Sequence, residues 1–229
     1  MAPGVREALL AHGPAAVGLS TGPARPSGDW PELVARALAG SAGALELAGA
    51  RDRDDLAGLL TYLAGGGPPG DASLSLHVPA GIDACDVADL LIALPARVER
   101  VIAHPDRLGD PAALAPLGAR LVLENMNARK RDGRTAGELA AHFARLPAAG
   151  LCLDMAHVAT VDPTLALAQE LLAAHGGRLR QLHLSGVDAE GAHRPLTAHD
   201  LARYAPVLRR CRRVPWILER EALPEGSTA

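Results

Sequence analysis

Short apolar runs that end on a potential metal ligand recur six times along the chain. They cover residues 74–77, 100–104, 121–124, 151–154, 182–183 and 215–219. Short apolar runs bounded by glycine, proline and polar segments are typical of buried strands. Carboxylates and imidazoles are side chains with which proteins hold divalent cations. We therefore predict six strands that end on candidate ligands, namely His77, His104, Glu124, Asp154, His183 and Glu219.

The side chains along these runs divide into two sets, because successive residues of a strand point to opposite faces. If each candidate ligand points inward, so does the residue two positions before it: Ser75, Ile102, Val122, Cys152, Gln181 and Ile217. The bulkier residues of the other set suit packing under helices: Leu74, Leu76, Val101, Leu121, Leu123, Leu151, Leu153, Leu182, Leu184 and Trp216. A closed parallel barrel explains this division, since its lumen is narrow, helices cover its outer face and its chemistry lies at the carboxyl ends of the strands.

The rest of the chain completes this architecture. Two more strands are predicted at residues 15–20 and 44–47, and helices at 29–38, 52–63, 87–94, 135–146, 163–174 and 198–210. Strands that alternate with helices predict an α/β fold, here a (β/α)8 TIM barrel in one domain over residues 1–229. Only a polar tail follows Glu221, so we expect the last helix of the barrel to be missing. An uncovered flank at that place favours a homodimer.

Composition narrows the range of partners. The formal net charge is −3 and aromatic residues make up 2% of the chain, which argues against a surface that grips duplex nucleic acid. No apolar run approaches the roughly 18 residues of a membrane span. The N-terminus lacks the basic start and apolar centre of a signal peptide. We expect a cytoplasmic protein without membrane contacts whose partner is a small-molecule substrate.

Four of the candidate ligands suit one metal ion. Glu124, Asp154, His183 and Glu219 end the fifth to the eighth strand, and ligands from several strands make a rigid cage. A buried cluster of carboxylates is costly unless a cation balances it. The oxygen-rich set suits manganese or magnesium, whereas the additional imidazoles favour zinc or iron. The sequence therefore predicts a divalent metal cofactor and leaves its identity open.

The order and spacing of these motifs resemble a known superfamily. The motifs span about two-thirds of the chain and are Leu76-His77-Val78-Pro79, Ile102-Ala103-His104-Pro105, Leu123-Glu124-Asn125, Leu153-Asp154-Met155-Ala156-His157, Leu182-His183-Leu184-Ser185 and Leu218-Glu219. Together they resemble the xylose isomerase-like TIM barrel superfamily. That superfamily holds sugar phosphate isomerases and epimerases, inosose dehydratase-like proteins and apurinic endonuclease-like proteins.

The resemblance implies a metal-dependent isomerase or epimerase. It implies that Glu124, Asp154, His183 and Glu219 hold one metal ion. It also implies that Glu124 and Glu219 move the proton in catalysis and that His157 contacts the substrate. The chemistry agrees, because the metal polarises a carbonyl oxygen and a carboxylate close to it abstracts the adjacent C–H proton. The leading hypothesis is proton transfer next to the carbonyl of a small sugar or sugar phosphate.

The additional histidines resemble those of a second branch. In its multinuclear members, His77 and His104 would join the glutamate of strand five on a second metal, and His157 with His193 would hold a third. Such clusters suit phosphoester hydrolysis. That branch normally has an aspartate where this chain has Gly191. A related barrel family of multinuclear iron oxidases usually has asparagine at the position of His157. One to three ions, and hydrolase or oxidase chemistry, are therefore the alternatives.

Three further residues are candidates for substrate binding. Glu46 could contact the substrate or balance charge in the lumen, while His193 and Arg194 follow a turn rich in glycine and aspartate.

Lys130, the only lysine, lies in a polar loop, which excludes a Schiff-base lysine on a strand. A last alternative, different in class, is a non-catalytic binding module that keeps its metal only to stabilise the barrel.

Overall fold

Eight parallel strands close into a barrel within residues 4–23, 29–79 and 81–221, the parts of the chain that the computed structural model describes. The barrel strands are β1 (Ala16–Ser20), β2 (Gly43–Leu47), β3 (Ser73–His77), β4 (Val98–Ala103), β5 (Leu121–Glu124), β6 (Gly150–Asp154), β7 (Leu179–Leu184) and β10 (Pro215–Leu218). Between β7 and β10 the chain forms a short hairpin of β8 (Gly186–Val187) and β9 (His193–Arg194). Around the barrel they follow the order β1-β10-β7-β6-β5-β4-β3-β2, and the antiparallel hairpin is not part of this ring. The predicted α/β class and TIM barrel are confirmed.

Helices alternate with the barrel strands. In the described residues they are α1 (Val5–Ala11), α2 (Trp30–Gly40), α3 (Arg53–Ala64), α4 (Ala88–Ala93), α5 (Ala136–Arg145), α6 (Met155–Val161), α7 (Ala166–His175) and α8 (Ala198–Leu208). Four 3₁₀ segments complete the connections: Ala84–Val87, Pro105–Arg107, Pro111–Arg120 and Gly176–Arg178. Within the described ranges, no helix has both the length and the apolar character needed to cross a bilayer.

Reciprocal caps fix the starts of α5 and α8. The Thr135 hydroxyl accepts from the backbone N–H of Glu138, whose carboxylate accepts from the backbone N–H of Thr135. Thr197 and Asp200 form the same arrangement at α8. Such caps satisfy N–H groups that the first helical turn leaves without partners. The start of α8 is therefore well defined, and it holds the hairpin of β8 and β9 nearby.

Several elements differ from the sequence prediction. Helix α6 was not expected, because it starts directly at the end of β6, where the Asp154 carboxylate caps it by accepting from the His157 N–H. Helix α7 starts at Ala166 rather than at residue 163, since Leu165 adopts a left-handed φ of 64° that a helix does not accommodate. The connection before β5 is a 3₁₀ segment that contains two prolines and breaks at Gly118.

The division of the strand residues into two faces is confirmed. All ten residues expected to point outward belong to the main apolar core, between the barrel and its helices. Three residues expected to point inward, Ile102, Val122 and Cys152, form a separate small cluster. Ser75 and Gln181 are buried polar residues. The lumen therefore has apolar and polar parts below the candidate ligands.

Helix α1, which the apolar pattern did not predict, lies beside the last strand. Val5 and Leu9 are buried in the main core, and α1 contacts α8. The ring of His12, directly after α1, lies 6.3 Å from that of Trp216 on β10. A helix from the start of the chain thus covers part of the flank that was expected to be open. The polar tail, residues 222–229, lies outside the described residues, and the homodimer stays a prediction.

Candidate metal centre

All six candidate ligands lie at the carboxyl end of the barrel. Each is within one residue of a strand end: His77 (β3), His104 (β4), Glu124 (β5), Asp154 (β6), His183 (β7) and Glu219 (β10). Parallel strands gather these ends into one ring, so residues far apart in sequence meet there. The cluster is deeply buried, since Glu124, Asp154 and His183 are each 1% exposed or less.

The Glu124 carboxylate contacts four imidazoles. Its Oε2 lies 3.0 Å from Nε2 of His77 and 3.1 Å from Nε2 of His104. Its Oε1 lies 3.1 Å from Nδ1 of His183 and 3.5 Å from Nδ1 of His157. Burial opposes ionisation of Glu124, but the charge and hydrogen bonds of the histidines outweigh it and hold the pKa of Glu124 well below its ordinary value. Glu124 is therefore ionised at neutral pH and central to the cluster.

The His183 ring contacts three carboxylates. Its Nδ1 is 3.1 Å from Oε1 of Glu124 and 3.1 Å from Oε1 of Glu219. On the other edge of the ring, its Nε2 lies 2.8 Å from Oε2 of Glu46. Burial opposes protonation of His183, but the surrounding negative charge outweighs it and raises the pKa of His183 well above its ordinary value. Burial likewise opposes ionisation of Glu219. The charge of His183 and hydrogen bonds from His183 and His193 outweigh it, and the pKa of Glu219 lies well below its ordinary value.

Asp154, His157 and His193 form a second cluster. Oδ1 of Asp154 accepts from the backbone N–H of His157 at 2.7 Å, while its buried Oδ2 has no hydrogen-bond partner among the described residues. The rings of His157 and His193 meet edge to face with their centroids 4.9 Å apart. Burial raises the pKa of Asp154 well above its ordinary value. A buried carboxyl with an unpartnered oxygen favours a proton or a cation beside it.

The potential ligand atoms of the described residues thus form two groups. Within each group these atoms lie within 4.8 Å of one another, and the groups are His77, Glu124, His183, Glu219 and Asp154, His157, His193. The arrangement differs from the predicted quartet in one exchange, because Asp154 lies in the second group and His77 joins the first. The start of α6 explains this difference, since the carboxylate of Asp154 caps the helix that carries His157.

Backbone oxygens orient two of the imidazoles. Nδ1 of His77 donates to the carbonyl oxygen of Val78 at 2.9 Å, and Nδ1 of His157 donates to that of Asn125 at 2.8 Å. A histidine that donates from one ring nitrogen can present the lone pair of the other, which selects the metal-binding atom. By contrast, Nδ1 of His104 is buried and has no hydrogen-bond partner in the described part of the chain.

The donor set fits a divalent cation. Carboxylate oxygens and imidazole nitrogens are the ligands that manganese, iron and zinc take in proteins. Buried carboxylate oxygens that have no hydrogen-bond partner among the described residues include Oδ2 of Asp154 and Oε1 of Glu46. In the same ranges, the ion pairs of Glu124 and Glu219 are formed with histidines alone. A bound cation would stabilise this concentration of negative charge.

The three candidates for substrate binding lie in different surroundings. His193 faces the cluster, with its Nδ1 3.3 Å from Oε2 of Glu219. Arg194, on the same hairpin, instead forms two hydrogen bonds of 2.7 and 3.0 Å with Asp200 at the start of α8. Glu46 is fully buried against the imidazole of β7. The geometry therefore favours substrate contact by His193 and a structural role for Arg194.

The sequence prediction missed two residues that support the site. The side chain of Asn125 holds the backbone of Asp154, because its Nδ2 donates to the carbonyl oxygen at 3.1 Å and its Oδ1 accepts from the N–H at 2.7 Å. The hydroxyl of Ser185 lies 3.1 Å from Nδ1 of His193. Each lies one or two residues after a strand-borne ligand, and a polar residue at such a position is the signal that could have identified them.

A cavity of about 330 Å³ opens beside the cluster. His77, His193 and Glu219 line it on one side. Small residues from the loop after β2, residues 48–50, also line it. A concave space of this volume suits a small molecule. Ligands of the first group therefore face a space that a substrate can enter.

No protein-family model and no curated protein matches the sequence, but solved structures do. D-Psicose 3-epimerase from Clostridium cellulolyticum H10 is 12% identical with a TM-score of 0.52, over 88% of this chain and 82% of that one. 3-Keto-D-glucoside 4-epimerase from E. coli is 13% identical with a TM-score of 0.55, over 91% and 92%. AP endonuclease, family 2, from Brucella melitensis is 16% identical with a TM-score of 0.53, over 93% and 94%. The chain therefore shares the TIM-barrel fold of these structures.

The shared barrel does not by itself identify the reaction. The similar structures include sugar epimerases and an endonuclease, so one barrel serves different reactions. At these identities the likeness concerns the fold, and function must be argued from the site.

Proposed function

We propose that this chain is a divalent-metal-dependent isomerase or epimerase that moves a proton next to the carbonyl of a small sugar or sugar phosphate. One observation carries the proposal: Glu124 and Glu219 approach the same ring nitrogen of His183, each at 3.1 Å. Their strands, β5 and β10, lie on either side of β7 in the ring. Epimerisation needs one group to remove a proton and another to return it on the opposite face. Two carboxylates on either side of one site can supply both.

The residues around the carboxylates divide the remaining tasks. A divalent cation held by Glu124, His183 and Glu219, with His77 or Asp154, would polarise the substrate carbonyl. Glu124 and Glu219 would exchange the proton with the neighbouring carbon. His157, oriented by the carbonyl oxygen of Asn125, and His193, on the hairpin, would donate or accept hydrogen bonds to substrate hydroxyls.

The comparisons and the cavity support a sugar as substrate. Two of the similar structures are named as epimerases of D-psicose and of a 3-keto-D-glucoside. The cavity of about 330 Å³ beside the cluster has room for a monosaccharide and is lined by both polar and small residues. Arg220 is exposed at its edge and would suit a phosphate group on the substrate.

Deuterium exchange tests the proposed roles of the two glutamates. The Mn²⁺-loaded protein is incubated with ketoses in D2O, and deuterium at the carbon next to the carbonyl is followed by ¹H NMR. We expect Glu124→Gln and Glu219→Gln to slow exchange by about 10²–10⁴-fold, the range that general acid–base catalysis contributes. Glu170→Gln, the same substitution at an exposed position on α7, is the matched control. Exchange at the wild-type rate in both folded site variants would refute the mechanism.

A multinuclear phosphoester hydrolase is the second candidate. The observation that favours it is the presence of two separate groups of ligands, with His104 as a further imidazole on Glu124. Elemental analysis of the purified protein gives the number of ions per chain, and the His77→Ala, His104→Ala double variant shows whether these imidazoles hold one. A content of two or three ions per chain that decreases in the double variant, together with hydrolysis of bis(p-nitrophenyl) phosphate, would favour the hydrolase. Metal binding without either activity would favour the binding module.

A further inference from the structure

A series of hydrogen bonds runs from one candidate ligand across the barrel lumen. Nε2 of His183 and Nε2 of Gln181 each lie 2.8 Å from Oε2 of Glu46. Oε1 of Gln181 accepts from Nε of Arg100 at 3.1 Å. These residues belong to β7, β2 and β4, and His183, Gln181 and Glu46 are all 0% exposed. We call Arg100, Gln181 and Glu46 the lumen relay.

The direction of each hydrogen bond follows from the first member of the relay. A guanidinium group has donors only, so Gln181 must turn its carbonyl oxygen towards Arg100. The NH2 group of Gln181 then points at Glu46. Oε2 of Glu46 accepts from that NH2 group, and the same oxygen is the acceptor for the Nε2–H of His183. With the Nε2–H held by Glu46, Nδ1, which faces Glu124 and Glu219, is the nitrogen whose proton a cation could displace.

Arg100 is itself anchored at the lower end of the lumen. It donates to Oε2 of Glu99 at 2.8 Å, and its other terminal nitrogen donates to the hydroxyl of Ser73. Its side chain is 11% exposed. Burial lowers the pKa of Arg100, but the ordinary pKa of an arginine is so high that the side chain stays charged at neutral pH. The donor end of the relay is therefore fixed in position and in charge.

One further contact allows a competing arrangement. Nε2 of Gln181 also lies 2.8 Å from Nε2 of His183, so the amide could donate to an unprotonated ring nitrogen. The lone pair of that nitrogen would then face the Glu46 carboxylate at 2.8 Å, and the two would repel each other. With Nε2 protonated, both N–H groups instead converge on one acceptor oxygen. The relay therefore favours a proton on Nε2.

We propose that Arg100, Gln181 and Glu46 are positioning residues that hold His183 with its Nε2 protonated and so present its Nδ1 to the metal centre. Nδ1 is also the atom that faces the two glutamates of that centre. The inference rests on the metal centre of the proposed function and goes beyond it, because it concerns the tautomer of a ligand rather than the reaction. It assigns Glu46 to the ligand's support instead of to substrate binding.

The first test reads the tautomer. In protein labelled with ¹⁵N-histidine and loaded with Zn²⁺, long-range ¹H–¹⁵N correlations distinguish protonated ring nitrogens from unprotonated and metal-bound ones. The variant His183→Gln assigns the signals of this residue. We expect a protonated Nε2 and a metal-bound Nδ1 in the wild type. A protonated Nδ1, or zinc on Nε2, would overturn the proposal.

The second test measures zinc affinity by competition with a chelator. Glu46→Met removes the acceptor with little change in volume, and we expect it to weaken zinc binding about 10–100-fold, as the loss of a partner of a metal-bound histidine does. Glu46→Gln keeps one acceptor oxygen and should lose less. Ser75→Ala is the matched control, since Ser75 is buried on the neighbouring strand and its hydroxyl has no hydrogen-bond partner in the described residues. Wild-type affinity in folded Glu46→Met or, if that variant does not fold, in Gln181→Met would contradict the proposal.

A double variant tests whether the relay acts as one unit. Gln181 acts on His183 through Glu46, so Gln181→Met should weaken zinc binding in the wild type and cause no further loss in Glu46→Met, which has no acceptor oxygen at position 46. Additive losses would show that the two residues act independently and would overturn the relay. A wild-type chain that binds no zinc would remove the metal centre and the proposed function together. Zinc binding with the opposite tautomer would remove this inference alone.

Discussion

Two sides of the barrel lumen support the metal centre in different ways. On β4, β5 and β6, below the ends of those strands, lies the apolar cluster of Ile102, Val122 and Cys152. Below His183 on β7 lies the lumen relay, in which charged and amide groups are joined by hydrogen bonds. Both sides are buried, yet one consists of groups that only pack and the other of groups that must be paired.

The difference matches the chemistry of Glu124, Asp154 and His183, the ligands above Val122, Cys152 and Gln181. His104, above Ile102, is an imidazole whose Nδ1 has no hydrogen-bond partner among the described residues. A carboxylate has two equivalent oxygens, so packing and a backbone anchor are enough to place it. An imidazole has two unlike nitrogens, and a hydrogen-bond partner has to decide which of them carries the proton. Substitutions in the apolar cluster should therefore change stability, whereas substitutions in the relay should change metal affinity.

The largest effect is expected from a charge on the apolar side. Ile102 is fully buried, and Ile102→Asp would place a carboxylate where the cluster offers it no partner. We expect the free energy of unfolding to fall by more than about 4 kcal/mol, measured by urea denaturation. Ile92→Asp is the control, because Ile92 on α4 is 43% exposed and should change stability by less than about 0.5 kcal/mol. Equal losses in the two variants would show that the cluster is not a specific apolar support.

A smaller substitution separates stability from metal binding. Val122→Ala removes two methyl groups from the cluster and should cost about 2 kcal/mol of unfolding free energy, from lost burial and the cavity left behind. Zinc affinity should stay near that of the wild type, since Glu124, two residues later, is held by its own partners. A loss of zinc affinity as large as that of Glu46→Met would contradict the distinction between the two sides.

The smallest effect is expected when the relay keeps its donor end. Arg100→Lys retains a cation that only donates, so Gln181 should keep its orientation. We expect zinc affinity to fall by less than about tenfold, below the range for a lost partner of a bound histidine. Arg100→Met, which has no donor, should weaken binding more, by the same chelator competition. Equal affinities of the two variants would mean that the donor at this position does not matter.

The barrel and its ligand positions could be predicted because strands impose a period of two on the sequence. Once the side chains of His183 and Glu124 are assigned to the lumen, the face to which each other residue of β7 and β5 points follows from this alternation. The grouping of the ligands could not be predicted, because it depends on a helix that begins directly at Asp154 and captures its carboxylate as a cap. The lumen relay could not be predicted either, because Arg100 and Gln181, on β4 and β7, come within hydrogen-bond distance only in the closed barrel.

Helix α1 was missed for a different reason. It has seven residues, of which Val5 and Leu9 are the buried ones, and two apolar positions do not define a helical period. Its stability comes from tertiary contacts, including those with α8. Sequence patterns identify helices and strands that bury a long apolar stripe. They are weak predictors of a short helix whose few buried residues complete a core formed by other elements.

The closure of the ring has a consequence for how the molecule is made. Strand β1 pairs with β10, which places Ala16 opposite Pro215, so the first and last strands are neighbours. Contacts between distant parts of a chain form late, because the loop between them must be closed first. During synthesis the ring can close only after β10 has left the ribosome, and Glu219 is the last of the six candidate ligands to arrive. The candidate metal centre is therefore assembled in the same step that closes the barrel.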